Sequence, residues 1–187
     1  MQRLEPIPSL PEGTNLLAKD YSAALQRTID ELQREATNRS VILPPKYKFS
    51  FEAQAARVTF ATNSLEPLAL QLGEVRALAT VLIEAKVNSL DAIRRERVSP
   101  DDNSGPATDY LDRRAVTNEL AILAPYEVTF RSFTPELATV LAGFANSPHG
   151  FIVVGINVET VAGGVVGGDP NGPSPGLPVP VYGQAVI

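Results

Sequence analysis

Two stretches of this chain repeat one plan, and the repeat limits the folds open to it. Ser64–Arg94 and Thr134–Val161 each carry a polar cap, a proline in the first turn, an amphipathic helix, a short break and an apolar strand. The second unit is preceded by Tyr126–Ser132, where Tyr126, Val128 and Phe130 alternate with Glu127, Thr129 and Arg131, the pattern of a strand with one wet face. Two strand–helix–strand halves result if the region around Phe49 or Val58 supplies the missing strand. Right-handed crossovers set side by side make a sheet with helices on one face. The expected fold class is therefore α+β: a ferredoxin-like arrangement of duplicated αβ units, a mainly antiparallel sheet with helices on one face, and an extra N-terminal helix.

The rest of the chain is divided by its prolines and glycines, which gather at Pro6–Gly13, Pro44–Pro45, Ser99–Pro106 and Gly163–Pro180. Residues 1–13 read as a linker. The α+β domain is expected over 14–161: a helix over 14–38 capped by Thr14 or Asn15, a first αβ unit over 64–97, a flexible polar loop over 99–118, and a second unit over 126–161. Residues 162–180 read as disordered, and Tyr182–Ile187 begins a partial last strand. Short strands are expected at Val41–Leu43, Tyr47–Phe51 and Arg57–Thr62. In the strand after the first repeated helix, Leu90 and Ala92 share a face and Ile93 does not, which calls for a bulge.

Composition closes off several functions. The net charge of −5 repels phosphate backbones and argues against general nucleic-acid binding. The chain has no cysteine and a single histidine, His149, so thiolate and ordinary zinc sites are excluded. The acids Asp101, Asp102, Asp109 and Asp112 fall in the polar loop and read, with Glu119, as solvated; Asp101-Asp102-Asn103 lacks the spacing of a calcium loop. His149 sits in a turn with no G-x-S-x-G elbow anywhere in the chain. Gly163–Gly168 has no following Lys-Ser/Thr, so a phosphate loop is not expected. Arg94-Arg95-Glu96-Arg97 reads as a solvated strand end. No catalytic, cofactor-binding or metal-binding residue is expected.

The N-terminal helix carries the one stripe with two readings. Tyr21, Leu25, Ile29 and Leu32 lie on one face at helical spacing. They either pack on the domain's own sheet or extend a coiled coil and form a partner interface.

Three stretches resemble a known family. Leu25–Leu43 resembles the helix and first strand of the periplasmic part of PilO, Leu65–Arg94 its middle helix and strand, and Tyr126–Val161 its pattern of strand, capped helix, proline-containing break and strand. PilO and its relative GspM belong to the inner-membrane platforms of type IV pili and type II secretion, and the closest likeness is to the pilus-associated PilO-like proteins of Verrucomicrobia. The resemblance implies a non-catalytic scaffold domain that dimerises with itself or pairs with a PilN-like protein. It also implies a periplasmic location, with anchorage to the inner membrane through an N-terminal segment missing from this chain, which would make the chain a soluble fragment. The alternative is a ferredoxin-like regulatory domain that senses a small ligand bound between the units.

Overall fold

The computed structural model describes residues 17–117, 119, 122–160 and 181–186. The expected linker 1–13, the cap at Thr14 or Asn15 and the stretch expected to be disordered lie outside these residues.

Helix α1, Ala18–Asn38, starts behind Leu17, which makes no side-chain cap bond. Its stripe turns inward onto helix α3, Leu65–Glu84, which carries Pro67 in its first turn, where the missing N–H breaks no helical bond. Ser64 sits at the N-cap position of α3 but makes no side-chain cap bond there. Instead its hydroxyl pairs with that of Ser99 at 2.9 Å. Between the two helices lies a single turn, α2, Glu52–Ala55.

Strand β1, Ser89–Glu96, follows α3. The register against strand β5, Tyr126–Ser132, slips between Leu90 and Ala92, and this bulge brings both Leu90 and Ile93 into the core. Short strands lie between these two: β2 (Tyr110–Leu111), then a small ribbon of β3 (Val116–Thr117) and β4 (Ile122–Leu123). Helix α4, Thr134–Asn146, begins behind Phe133 with Pro135 in its first turn; the capping bond expected from Thr134 is not made. Strands β6 (Gly155–Thr160) and β7 (Val181–Val186) complete a five-stranded sheet in the order β2-β1-β5-β7-β6. All neighbours are antiparallel except β1 and β2, which run parallel. The last strand is thus no edge piece: it inserts between β5 and β6, so that the α4 crossover spans it. Both repeated units do share one sheet.

Leu90, Ile93, Tyr126, Val128 and Phe130 belong to the same buried cluster as the stripes of α1, α3 and α4, so the helices cover one face. The other face carries cross-strand ion pairs, Arg94 to Glu127 at 2.9 Å and Arg131 to Asp91 at 2.8 Å.

Three expected strands are absent. At Val41–Leu43 only Ile42 bridges the sheet, parallel to Ser89. Tyr47–Phe51 is a pair of turns, because Lys46, Phe49 and Ser50 adopt positive φ of 56°, 51° and 68°, which no strand tolerates. Arg57–Thr62 is irregular, so neither region supplies a strand to the repeat. The loop expected over 99–118 is instead built from two 3-10 helices, Pro100–Ser104 and Ala107–Asp109, and leads into β2 and β3.

Candidate functional site

The ionisable groups gather at one place that the sequence reading assigned to solvent. Arg95 and Asp102 are both 0% exposed and paired at 2.7 Å. Arg95 reaches this position because the bulge puts it on the same inward face of β1 as Ile93. Asp102 reaches it through a capping box: Asp101 N–H donates to Ser99 Oγ, and the Asp102 carboxylate accepts from Ser99 N–H at 2.9 Å.

Every polar atom of the pair is used. Arg95 donates from Nε to the Ser50 carbonyl, from Nη1 to Gln71 Oε1 and the Glu96 carbonyl, and from Nη2 to Gln54 Oε1 and Asp102 Oδ1. That fills the five donors a guanidinium has. Asp102 Oδ1 also accepts from Gln54 Nε2 at 2.7 Å, and Oδ2 accepts from the N–H groups of Val98 and Ser99. The guanidinium lies over the rings of Phe51 and Tyr110 at 4.5 and 5.0 Å. Burial opposes the charge on Asp102, but the guanidinium and the two backbone donors outweigh it and hold the carboxyl below its usual range. A carboxylate with all its acceptor sites occupied has none left for a substrate proton or a metal. The network is a clamp joining α2, α3, β1 and the segment around Asp102.

The remaining candidates do not converge. Asp101 pairs with Arg57 at 3.0 Å and accepts from Ala61 N–H. Asp109 is half-buried, with its carboxyl pushed up by that burial. Asp112 and Glu119 are exposed. His149 lies edge-on to Phe151, with ring centres 6.4 Å apart. Arg97 stacks on Tyr110 at 4.7 Å rather than standing free in solvent. Glu74 meets the Tyr126 hydroxyl across α3 and β5, and burial raises its carboxyl. Gly163–Gly168 lies outside the described residues. No group of three or more metal-ligating side chains occurs among the described residues.

Tyr21, Leu25, Ile29 and Leu32 are 0–2% exposed. They pack inside this chain's own core with α3 and the aromatic residues Phe49 and Phe51, so within this fold they offer no surface to a partner. The surfaces left open lie elsewhere. A groove of about 750 Å³ runs between α3 and α4, floored by Gly73, Ala77, Ala142 and Gly143 and rimmed by Arg76 and His149. At Gly143 the helices are packed tightly enough that an added Cβ would stand 2.8 Å from Val81 Cγ1. Ile156 and Val158 on β6, with Ile152 and Val154 just before it, are 45–72% exposed. Sequence reasoning set these four on one face of a strand over 151–161; the strand begins only at Gly155, and its place at the end of the sheet follows from the strand order.

The fold and these surfaces define an α+β domain with a helix-covered, mainly antiparallel sheet. A pilus-like family model matches residues 5–159, and the chain belongs to that pilus-like family. Solved structures from Akkermansia muciniphila share the fold. One, described as a core domain, is 12% identical with a TM-score of 0.65, covering 92% of this chain and 86% of that one. Another, described as lacking its transmembrane region, is 11% identical with a TM-score of 0.67, covering 98% and 87%. No curated protein matches the chain. No helix among the described residues is long and apolar enough to cross a membrane.

Proposed function

We propose that this chain is a non-catalytic scaffold domain of a type IV pilus or type II secretion-like inner-membrane platform, acting by pairing with itself or with a PilN-like protein. The pilus-like family match over 5–159 is the observation that carries this reading. The chemistry agrees with it, since the best-organised polar cluster is a saturated clamp. The proposal includes a PilO-like, ferredoxin-like architecture opened at a different point of the chain. In it α3–β1 leads, β5–α4–β6–β7 follows, and the strand order β1-β5-β7-β6 sets β7 between β5 and β6 with β1 beside β5. It also includes a periplasmic location with an inner-membrane anchor.

Light scattering on the purified chain, alone and mixed with PilN-like domains, tests the reading. A dimer or a stoichiometric complex is expected. A strict monomer at high concentration that also ignores those domains overturns it.

The α3–α4 groove favours a second reading, a small-ligand sensor, because a concave apolar space between the units suits a small molecule. A metabolite that raises the melting temperature in proportion to its concentration would support it.

A further inference from the structure

We propose that Glu74 is a proton-operated trigger for the segment Arg113–Thr117: once ionised, it repels the Glu96 carboxylate that tethers the segment at Ala115, and the tether opens more often. The device goes beyond the scaffold reading and does not depend on it.

Two side-chain bonds hold the segment at its root. Glu96, the last residue of β1, is 8% exposed, and its Oε2 accepts from Ala115 N–H at 2.8 Å. The Arg114 guanidinium donates to the Arg97 carbonyl at 3.2 Å, but that bond is exposed to water. The shielded bond to a charged acceptor is the stronger hold. Past Ala115 the segment becomes β3, which stands outside the five-stranded sheet and has both residues exposed.

Glu74 stands close to the tethering carboxylate. Gln71, three residues earlier and on the same face of α3, donates from Nε2 to the Glu96 carbonyl at 3.1 Å. Tyr126, whose hydroxyl donates to Glu74, lies opposite Arg95 in the β1–β5 register, one residue from Glu96. Burial pushes the Glu74 carboxyl up, the Tyr126 hydroxyl draws it down, and the Glu96 charge pushes it up again.

Among the described residues, the cations around this cluster are committed elsewhere. Arg95 acts on Tyr126, yet its five donors are filled inside the clamp. Arg76 turns to Glu31 on α1 at 3.0 Å, Arg94 to Glu127 on β5 at 2.9 Å, and Arg97 onto the Tyr110 ring.

A neutral Glu74 leaves the tether unopposed. An ionised Glu74 sets two carboxylates against each other away from bulk water, and opening the tether lets Glu96 move out. The open form therefore holds fewer protons, and its population grows as pH rises from about 4.3, the ordinary glutamate value. One whole proton released on opening corresponds to about tenfold per pH unit.

Amide exchange of the full chain between about pH 5 and 8, corrected for the intrinsic exchange rate, tests the device. The Ala115 amide is expected to open at least about tenfold more often than the core amides of α3, with an opening constant that rises by up to about tenfold per pH unit. Glu74→Gln keeps an acceptor for Tyr126 and removes the charge, so the rise should disappear. Glu96→Gln keeps an acceptor for Ala115 and should flatten it as well. An Ala115 amide that opens only with global unfolding, as α3 does, overturns the device. So does a rise with pH that survives either substitution. Each variant is read on its own, so if one fails to fold the other decides.

Discussion

The two repeated units share a sequence plan and part company in what they bury. Helix α3 sinks nine residues into the core, whereas α4 sinks only Val140 and Phe144. Strand β1 is buried at Ser89, Leu90, Ile93, Arg95 and Glu96, while the described side chains of β6 remain half-exposed or exposed. Apolar content therefore does not tell the two halves apart; position in the sheet does. The first unit lies under α1 and beside the clamp. The second lies at the end of the sheet, where among the described residues β6 pairs with β7 alone and its apolar residues are exposed. One half holds the domain together, and the other has surface left over for assembly.

The sharpest way to break this contrast is to open the clamp. Asp102→Ala leaves Arg95 charged, buried and unpaired, and should cost about 3–5 kcal/mol in a denaturant melt. Arg95→Met/Asp102→Leu should cost less than Asp102→Ala alone, because no buried charge is stranded. Equal losses would mean that the pair is not the joint described here.

Truncation compares the halves directly. Leu78→Ala removes a fully buried side chain and should cost about 2–5 kcal/mol. Val154→Ala, at 72% exposure, should stay within about 0.5 kcal/mol in the monomer. A large loss at Val154 in dilute solution would show that the second unit is packed after all.

The carboxyls give opposite pH signatures. The Asp102 pKa is lowered by folding, so its contribution is present above its unfolded value near 3.9 and is lost as pH falls through the folded value. The Glu74 pKa is raised, so its charge weakens the fold as pH climbs from about 4.3 through the folded value. Glu74→Gln keeps an acceptor for Tyr126. It should therefore flatten that second limb and raise stability near neutral pH. The smallest effect belongs to Arg131→Ala on the open face, where the pair with Asp91 is half in water: about 0–1 kcal/mol, falling with added salt.

Elements with strong local patterns were legible in the sequence: α1, α3, α4, β5 and the bulge in β1. Segments whose conformation depends on distant groups were not. Tyr47, Phe49 and Phe51 alternate like a strand, yet they fold into turns because β1 needs an edge cover and Arg95 an aromatic bed. The acids around Asp102 looked solvated because burial of a charge depends on partners far off in sequence: Gln54 lies 48 residues away. Two local signals did point inward, the Ser99-x-x-Asp102 spacing of a capping box and the two-residue step from Ile93 to Arg95 beyond the bulge. The place of β6 at the end of the sheet had no local signal, since it arises only when β7 inserts between β5 and β6.

Amide hydrogen exchange followed at dilute and at high protein concentration tests the division of labour most directly. Amides of residues 152–158 are expected to slow by about tenfold or more at high concentration, while those of α3 and β1 exchange at global-unfolding rates in both conditions. Exchange at 152–158 that is indifferent to concentration and to an added platform partner would contradict it.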